Sequence, residues 1–337
     1  YQTVSRVINE QPHVASETRE RVLKVIEELN YRPNRAAQLL NAGRSYILQM
    51  IIFANGYDPA AAAMLHWARQ LGYTMIVTEL QGGQSEEGIL ETLGETAHMV
   101  DGVLIVLPRV RLSYEALRCE HRVDLPFVVV STELGMKMPS VVFDQRLGAR
   151  QALDHLLDLG HCEIAEIRGP EENIDAHIRH QTFEAVLHEK GLTPGPSVMG
   201  DFSVASGYRA AGKLLKSNRT FSALFAANDR MAFGAIRALR ESKIQVPKDV
   251  SVVGFDDAEA AGYFEPPLTT VKQDFEALGK QSVEYLVSMI EDPDTPIQQR
   301  VLYPELVVRQ STRRLTRSGG EEEDAPIRYT SERGWSD

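Results

Sequence analysis

Polar side chains stand directly after several runs of apolar residues in this sequence. Ser131 follows Phe-Val-Val-Val, Asn228 and Asp229 follow Ala-Leu-Phe-Ala-Ala, and Asp256 and Asp257 follow Ser-Val-Val-Gly-Phe. If the runs are parallel strands, their carboxyl ends converge on the edge of a sheet where small molecules bind. Capping of the following helix explains any one of these residues equally well, because Asn and Asp are preferred N-cap residues. The convergence of several of them on one cleft favours a binding site.

The first nine residues have the pattern of a short helix with two different faces. Val4, Val7 and Ile8 share one side, and the other side carries Tyr1, Gln2, Ser5, Arg6 and Asn9. Arg and Gln can make paired hydrogen bonds to base edges, whereas Ser and Asn suit phosphates. A second helix is predicted over residues 17–29, with apolar residues at helical spacing. A helical hairpin whose polar face only keeps the chain in solution is the alternative.

Motifs of catalysis are absent from the sequence. It contains no G-x-G-x-x-G after the first strand, no G-x-x-x-x-G-K-[ST], no H-E-x-x-H and no G-x-S-x-G. The nine histidines are scattered and form no cluster with metal-ligand spacing. Asp256 and Asp257 are adjacent, but neighbouring residues that leave a strand point in different directions. We therefore expect no enzyme activity, no metal site and no cofactor.

Alternating strands and helices must position these residues. Strands are predicted over 47–54, 74–80, 100–107, 126–131, 140–143, 164–167, 223–226 and 250–255, and helices over 59–71, 86–97, 147–159, 178–190, 206–216, 231–242 and 275–290. The strand runs are rich in Val and Ile and mostly continuous, as in parallel strands buried on both faces. This alternation predicts a doubly wound α/β fold, and the chain is long enough for two such sheets in series.

Length, cysteine count and charge narrow the class of protein. At roughly 150 residues per domain, 337 residues predict two domains. Two cysteines, Cys119 and Cys162, are too few for a disulfide framework and favour a reducing compartment. We expect no membrane segment and no signal peptide, because no apolar run approaches about 20 residues. The net charge of −11 argues against non-specific coating of nucleic acid.

The charge is unevenly distributed along the chain. Residues 1–45 hold seven basic and five acidic residues, 7 − 5 = +2, so the remainder carries −11 − 2 = −13. A margin of +2 alone favours a DNA-binding module only weakly. The stretch from Thr316 has few aliphatic residues and an acidic run, which predicts a disordered tail.

The segment YQTVSRVINEQPHVASETRERVLKVIEELNYRPNRAAQLLNAG resembles the headpiece of the LacI/GalR family of bacterial transcription regulators. The segments LDLGH, ALFAANDRMAFGAIRAL, VSVVGFDD and PPLTTVKQD match family blocks in the same order, so the resemblance extends to about Thr312. It implies an α/β fold with two doubly wound, periplasmic-binding-protein-like subdomains, preceded by an incomplete all-α helix-turn-helix headpiece. The family's first helix would precede Tyr1 and is not in this sequence, so we expect the chain as it stands to bind DNA poorly.

The resemblance also implies domain boundaries. These are a headpiece over 1–30, a hinge helix and linker over 31–45, an N-terminal core subdomain over 46–145 and 275–304, a C-terminal core subdomain over 146–274 and 305–315, and a disordered acidic tail over 316–337.

The DNA contacts implied by the resemblance lie in the headpiece and the hinge. Bases of the major groove would be contacted by Tyr1, Gln2 and Arg6, and phosphates by Thr3, Ser5, Asn9 and His13. Residues 34–41 would form a hinge helix that is ordered only on DNA, with Asn34, Ala37 and Leu40 at the interface. Leu40 would insert into the minor groove, where an apolar side chain between base pairs costs unstacking energy and bends the DNA. The alternative for Leu40 is an ordinary helix residue.

Effector contacts are implied between the two core subdomains. Arg179 and Asp256 match family positions that hold effector hydroxyls, and such a charged pair suits a sugar. A surface salt bridge is the alternative for Arg179. Phe202 matches the aromatic residue that packs on an apolar sugar face. The other matched positions are Asn55, Asp58, Ser131, Asp175, Asn228, Gln273 and Phe275.

The function implied is that of a cytoplasmic, sequence-specific repressor. A sugar that prefers one arrangement of the subdomains would release the protein from a pseudo-palindromic operator. A homodimer is expected, because the tail lacks the heptads of a tetramerising helix. A purine corepressor is less favoured, since Asn173 and Asp175 replace the residues that the purine-binding branch uses. The main alternative is a periplasmic-type sugar-binding or sensor protein without DNA binding, and an α/β enzyme is a second one.

Overall fold

A computed structural model describes residues 2–8, 14–29, 44–53, 59–80, 86–106, 114, 125–217 and 220–315. Two short helices, α1 (Gln2–Ile8) and α2 (Ser16–Glu28), precede two six-stranded sheets. The predicted hinge helix and the predicted disordered tail lie outside the described residues.

The first sheet is parallel throughout. Its strands are β1 (Ile47–Phe53), β2 (Thr74–Leu80), β3 (Gly102–Val106), β4 (Phe127–Val130), β5 (Ser140–Phe143) and β11 (Gln299–Leu302), in the order β11-β5-β4-β3-β1-β2. Helices α3 (Pro59–Gln70) and α9 (Phe275–Glu291) cover one face, and α4 (Glu86–Thr96) covers the other. Alternate residues of β3 therefore enter two different cores, which explains the continuous apolar run.

The second sheet has the same construction with one reversed strand. Its strands are β6 (Ile164–Arg168), β7 (Ser197–Met199), β8 (Ala223–Ala226), β9 (Ser251–Asp256), β10 (Thr269–Lys272) and β12 (Glu305–Val307), in the order β12-β10-β9-β8-β6-β7. Only β12 is antiparallel to its neighbour among the paired strands described. Helices α5 (Gln145–Asp158) and α6 (Ile174–Glu189) cover one face, and α7 (Val204–Lys216) and α8 (Asp229–Glu241) cover the other. The predicted fold class is confirmed.

The chain passes between the two sheets three times. It leaves the first sheet between β5 and α5, returns between β10 and α9, and leaves again between β11 and β12. Gln145 and Gln273 stand at the first two of these crossings. The contacts of side chains at the crossings therefore depend on how the two sheets lie relative to each other.

Several helices begin earlier than predicted, and two of these differences matter for the site. Helix α6 begins at Ile174 because the Asn173 side chain accepts a hydrogen bond from the Ala176 amide at 2.9 Å. Helix α5 begins at Gln145 because Asp144 accepts from the Leu147 amide at 2.9 Å. Polar caps thus added a turn that the apolar periodicity did not reveal.

The edge strand β2 departs from the expected burial. Its side chains are mostly exposed, including Ile76 at 38% and Val77 at 42%. The expectation of strands buried on both faces is wrong here, because the end of a sheet lacks the flanking cover that the central strands receive.

Candidate functional site

Arg179 is the centre of a buried polar network on α6. It is 4% exposed. Its Nε donates a hydrogen bond to Gln145 Oε1 at 2.9 Å, and its Nη1 donates to the Ala227 carbonyl. Nη1 lies 3.7 Å from Asp256 Oδ1, and the guanidinium carbon lies 3.8 Å from the centroid of the Phe255 ring. The alternative of a surface salt bridge does not fit Arg179, because its side chain is buried, although the Asp256 side chain is 27% exposed.

Asp256 connects this arginine to both crossings between the sheets. Gln273 Nε2 donates to Asp256 Oδ1 at 2.9 Å, and Gln145 Nε2 donates to Gln273 Oε1 at 2.9 Å. Together with Arg179 these residues form a closed set that we call the crossover network. Asp256 has φ 109°, a left-handed conformation that costs on the order of 1–3 kcal/mol and is typical of functional sites. Asp257 turns away and pairs with Arg309 at 2.7 Å, as expected for adjacent residues.

Burial affects the protonation of the groups around the network. It lowers the pKa of Arg179, while the facing Asp256 carboxylate opposes this shift. Asp229 is fully buried, accepts from the Ala258 amide at 2.7 Å and accepts from the Thr270 hydroxyl. Its burial, followed by repulsion from Asp256, raises the pKa of Asp229 to about 8. Near neutral pH, Asp229 thus keeps its proton and adds little negative charge beside Asp256.

Asn228 has the capping role and also reaches the predicted site. Its Oδ1 accepts from the Met231 amide at 2.9 Å at the start of α8. Its Nδ2 donates to the Phe202 carbonyl at 3.2 Å, which holds the loop that carries this aromatic residue. The Phe202 ring packs over Gly169, where an added Cβ would lie 2.6 Å from the ring. The two sequence interpretations of Asn228 are therefore compatible.

The remaining predicted effector residues belong to elements of both sheets or lie outside the described residues. Ser131 follows β4 with φ 64° and is half-buried. Asp175 is half-buried on α6, one turn before the arginine. The Phe275 ring at the start of α9 lies edge-on to Phe143, with centroids 5.6 Å apart. Asn55 and Asp58 lie outside the described residues.

An open cleft of about 650 Å³ adjoins the crossover network. Its described lining contains none of the predicted effector residues but does contain Gln145 and Phe143, which sequence reasoning missed. Both stand at the carboxyl end of β5, where the rule applied to Ser131 could have found them. The described lining consists of Thr132, Glu133, Leu134, Phe143, Gln145, Arg146, Glu171, Glu172, Ile174, His177, Ile178 and Gln181.

The headpiece helices present the predicted DNA contacts only in part. Thr3 and Arg6 are exposed on α1, and Val7 is 2% exposed. Helix α2 buries none of its residues. On its predicted apolar face Val22 and Ile26 are half-buried, whereas Val25 and the following Leu29 are 46% and 73% exposed, so the face is only partly covered within the described part of the chain. Gln2 and Ser5 belong to α1, but their side chains are not among the described ones. The residues outside the described ranges are Tyr1, Asn9, His13, Asn34, Ala37 and Leu40.

No group of three or more His, Cys, Asp and Glu side chains in the described ranges is arranged to hold a metal ion. No helix within them combines the length and the apolar character that a bilayer span requires.

Two family models match this chain. Residues 1–34 match the model of bacterial regulatory proteins of the lacI family, and residues 153–312 match that of the periplasmic binding protein-like domain. The first match covers α1 and α2, and the second covers most of the second sheet with its helices.

Several known proteins are similar to this chain over most of its length. The lactose operon repressor of Escherichia coli (strain K12) is 34% identical over 293 residues, covering 86% of this chain and 81% of that protein. A crystal structure of the Lac repressor dimer bound to operator and the anti-inducer ONPF has a TM-score of 0.84 at 32% identity, covering 93% of this chain and 95% of that one. A complex of the transcriptional regulator CelR with cellobiose has a TM-score of 0.69 at 31% identity, covering 92% and 95%. The chain therefore belongs to the LacI family of bacterial regulatory proteins.

Proposed function

We propose that this protein is a sequence-specific DNA-binding repressor that leaves its operator when a small sugar binds between its two core subdomains. The Lac repressor relative has been captured as a dimer on operator DNA, and the CelR relative with cellobiose. Both cover more than nine-tenths of this chain, so the comparison includes the headpiece and both sheets.

The observation that carries the effector proposal is the crossover network. A guanidinium and a carboxylate 3.7 Å apart, with two amide side chains, offer donors and acceptors in fixed directions, as sugar hydroxyls require. Gln145 and Gln273 stand where the chain passes between the sheets. A ligand bound to Arg179 and Asp256 therefore contacts the connections that change when the subdomains move.

Further effector residues are part of the same proposal. Ser131, Asp175, Phe202, Asn228 and Phe275 are assigned to the same effector site. Asn228 donates a hydrogen bond to the Phe202 carbonyl at 3.2 Å, and the Phe275 amide donates to the Gln273 carbonyl. Asn55 and Asp58, which lie outside the described residues, belong to the proposed set as well.

DNA binding is assigned to the headpiece and the hinge. Arg6 and Thr3 are exposed on α1, where they are accessible to a base edge and a phosphate. The other proposed contacts are Tyr1, Gln2, Ser5, Asn9, His13, Asn34, Ala37 and Leu40.

The domain boundaries proposed from the sequence accord with the sheet membership of the strands. The first sheet takes strands from 46–145 and 275–304, and the second takes strands from 146–274 and 305–315. We assign 1–30 to the headpiece, 31–45 to the hinge and linker, and 316–337 to a disordered tail.

The proposed assembly is a homodimer. Its proposed location is the cytoplasm, where operator DNA is found, and its proposed role includes no catalysis. The edge strand β2 exposes Ile76 and Val77, and apolar side chains on an open sheet edge are a surface that a second copy covers. The relatives are repressors and a transcriptional regulator, which supports a binding role rather than turnover.

A gel-shift experiment tests the repressor proposal. The full-length gene product is incubated with pseudo-palindromic duplexes that it has enriched from a random pool. Retention of a specific duplex, and its release by a sugar that binds the core, are expected. Sugar binding that leaves operator affinity unchanged contradicts the proposed mechanism, and failure to enrich any duplex contradicts DNA binding.

A further inference from the structure

A buried glutamate interrupts the apolar strand β6. Glu166 is fully buried, and it lies on the same face of the strand as Ile164, which belongs to the core under α5 and α6. Carboxylates are almost never buried completely unless they are paired, because removing a charge from water is costly. A charge at this position of the core therefore needs a partner.

Two donors converge on one oxygen of Glu166. His180 Nδ1 on α6 lies 2.8 Å from Oε2, and the Ser197 hydroxyl on β7 donates to the same atom at 2.6 Å. The other carboxylate oxygen, Oε1, is buried and has no hydrogen-bond partner within the described part of the chain. Hydrogen bonds thus satisfy only half of this carboxylate, so the positive charge of a protonated His180 is its main compensation.

The groups around His180 favour its protonated form. Its hydrogen bond to Glu166 raises the pKa of His180, partial burial opposes this, and the charges of Glu166 and Glu184 raise the pKa further. Glu184 Oε1 on the same helix lies 3.8 Å from Nε2, whereas Arg168 on β6 lowers the pKa. The ion pair Arg150–Glu189 joins α5 to α6 more than two helical turns away. His180 therefore loses its charge at a higher pH than an ordinary histidine.

Helix α6 is held by charged contacts on two sides. Arg179, the neighbour of His180 in the chain, faces Asp256 and the crossover network, whereas His180 faces Glu166 on β6. Successive residues of a helix point about 100° apart, so the two contacts together fix the rotation of α6 above the sheet. Loss of the His180 charge leaves Glu166 uncompensated in the core and loosens the helix where it presents Arg179.

We propose that His180 is a positioning residue, which acts through Glu166 to hold Arg179 in place, so that the protein binds its sugar effector more tightly while His180 is charged. The inference rests on the proposed sugar site at Arg179 and Asp256. Because His180 is charged below its pKa and neutral above it, the affinity for the sugar falls as pH rises through that pKa. Linkage is reciprocal, so the sugar favours the charged form and its binding takes up a fraction of a proton from the buffer.

Isothermal titration calorimetry of the full-length protein tests this coupling. Glucose, galactose, lactose and cellobiose are screened at pH 6, and the sugar that binds most tightly is titrated at pH 6, 7.5 and 9. His180→Gln keeps a donor for Glu166 but cannot acquire a charge. Its dissociation constant should exceed that of the wild type about fivefold at pH 6 and approach it at pH 9. The titration of Asp229 occurs in both proteins and cancels from this ratio.

Proton uptake gives a second readout that a merely structural role would not change. Titrations in phosphate and in Tris, whose ionisation enthalpies differ, give the number of protons taken up per sugar bound. At pH 7.5 the wild type is expected to take up more than His180→Gln. Glu166→Gln removes the charge that His180 compensates and should likewise reduce the uptake. His188→Gln, at an exposed histidine near the end of α6, is the control and should match the wild type in affinity and uptake.

The two readouts separate this inference from the proposed function. An affinity ratio of His180→Gln to the wild type that is the same at pH 6 and pH 9 would overturn the positioning role and leave the sugar effector intact. Equal proton uptake by the wild type and Glu166→Gln would overturn it as well, even where His180→Gln does not fold. Binding of no sugar in the panel would refute the effector proposal and the positioning role together.

Discussion

Asp229→Asn should remove a pH dependence that is built into the second subdomain. Asp229 is fully buried beside Asp256, and its pKa is raised to about 8. Asn has nearly the same shape and can keep both contacts, because its Oδ1 accepts from the Ala258 amide and its Nδ2 donates to the Thr270 hydroxyl oxygen. The substitution thus changes the titration and preserves the packing.

The sign and size of the effect follow from linkage. Between the unfolded pKa of 3.8 and the folded pKa of about 8, the folded state of Asp229 holds more protons than the unfolded state. The stabilisation from protonated Asp229 is therefore lost as pH rises through this window, at up to about 1.4 kcal/mol per pH unit. The whole window sets an upper limit of about 6 kcal/mol, since 8 − 3.8 = 4.2 units.

Urea denaturation at pH 5, 6, 7 and 8 measures the free energy of unfolding of both proteins. The stability of Asp229→Asn relative to the wild type is expected to rise steadily from pH 5 to pH 8. Asp294→Asn, at an exposed carboxylate in the loop after α9, is the control and should show no such trend. A difference between Asp229→Asn and the wild type that is the same at pH 5 and pH 8 would refute the reasoning.

Three other substitutions test a second buried ionisable group and the helix packing. His161 is 1% exposed and burial lowers its pKa to about 4, so the free energy of unfolding should fall as pH drops from 6.5 to 4, by up to about 3 kcal/mol. His161→Gln should flatten this dependence in the same urea experiment. Gly207→Ala should destabilise the protein by on the order of 3 kcal/mol, because its Cβ would lie 2.1 Å from the Met231 carbonyl oxygen between α7 and α8. Gly212→Ala on the same helix meets no atom within 4 Å and should stabilise by up to about 1 kcal/mol, and thermal unfolding of the pair distinguishes the two outcomes.

Sequence periodicity located the centres of both sheets well, for a physical reason. Strands such as β3 and β8 are buried on both faces, so their apolar residues are continuous and easily recognised. The short strands β11 and β12 contain Gln, Arg and Glu and lie at sheet edges, where polar side chains are tolerated and the apolar signal disappears. They were not predicted for this reason. The edge strand β7 and the internal strand β10 were not predicted either.

The site was predicted less completely than the fold. The resemblance to the family supplied Arg179 and Asp256, and strand-end reasoning supplied Asn228 and Ser131. Gln145 follows β5, where the strand-end rule could have found it, but its hydrogen bond to Gln273, 128 positions away, could not be predicted. No local pattern reports such a contact.

Operator release by a bound sugar is the most direct test of the account. Fluorescence anisotropy of an enriched operator duplex would be recorded with the full-length protein, with and without a saturating sugar that calorimetry shows to bind. The account predicts that the sugar weakens operator binding by at least about tenfold, which corresponds to a coupling of about 1.4 kcal/mol. Asp256→Asn should bind the operator normally but lose the response, because it removes the charge that faces Arg179 at 3.7 Å. A wild-type protein that binds the sugar and holds its operator unchanged would contradict the central claim.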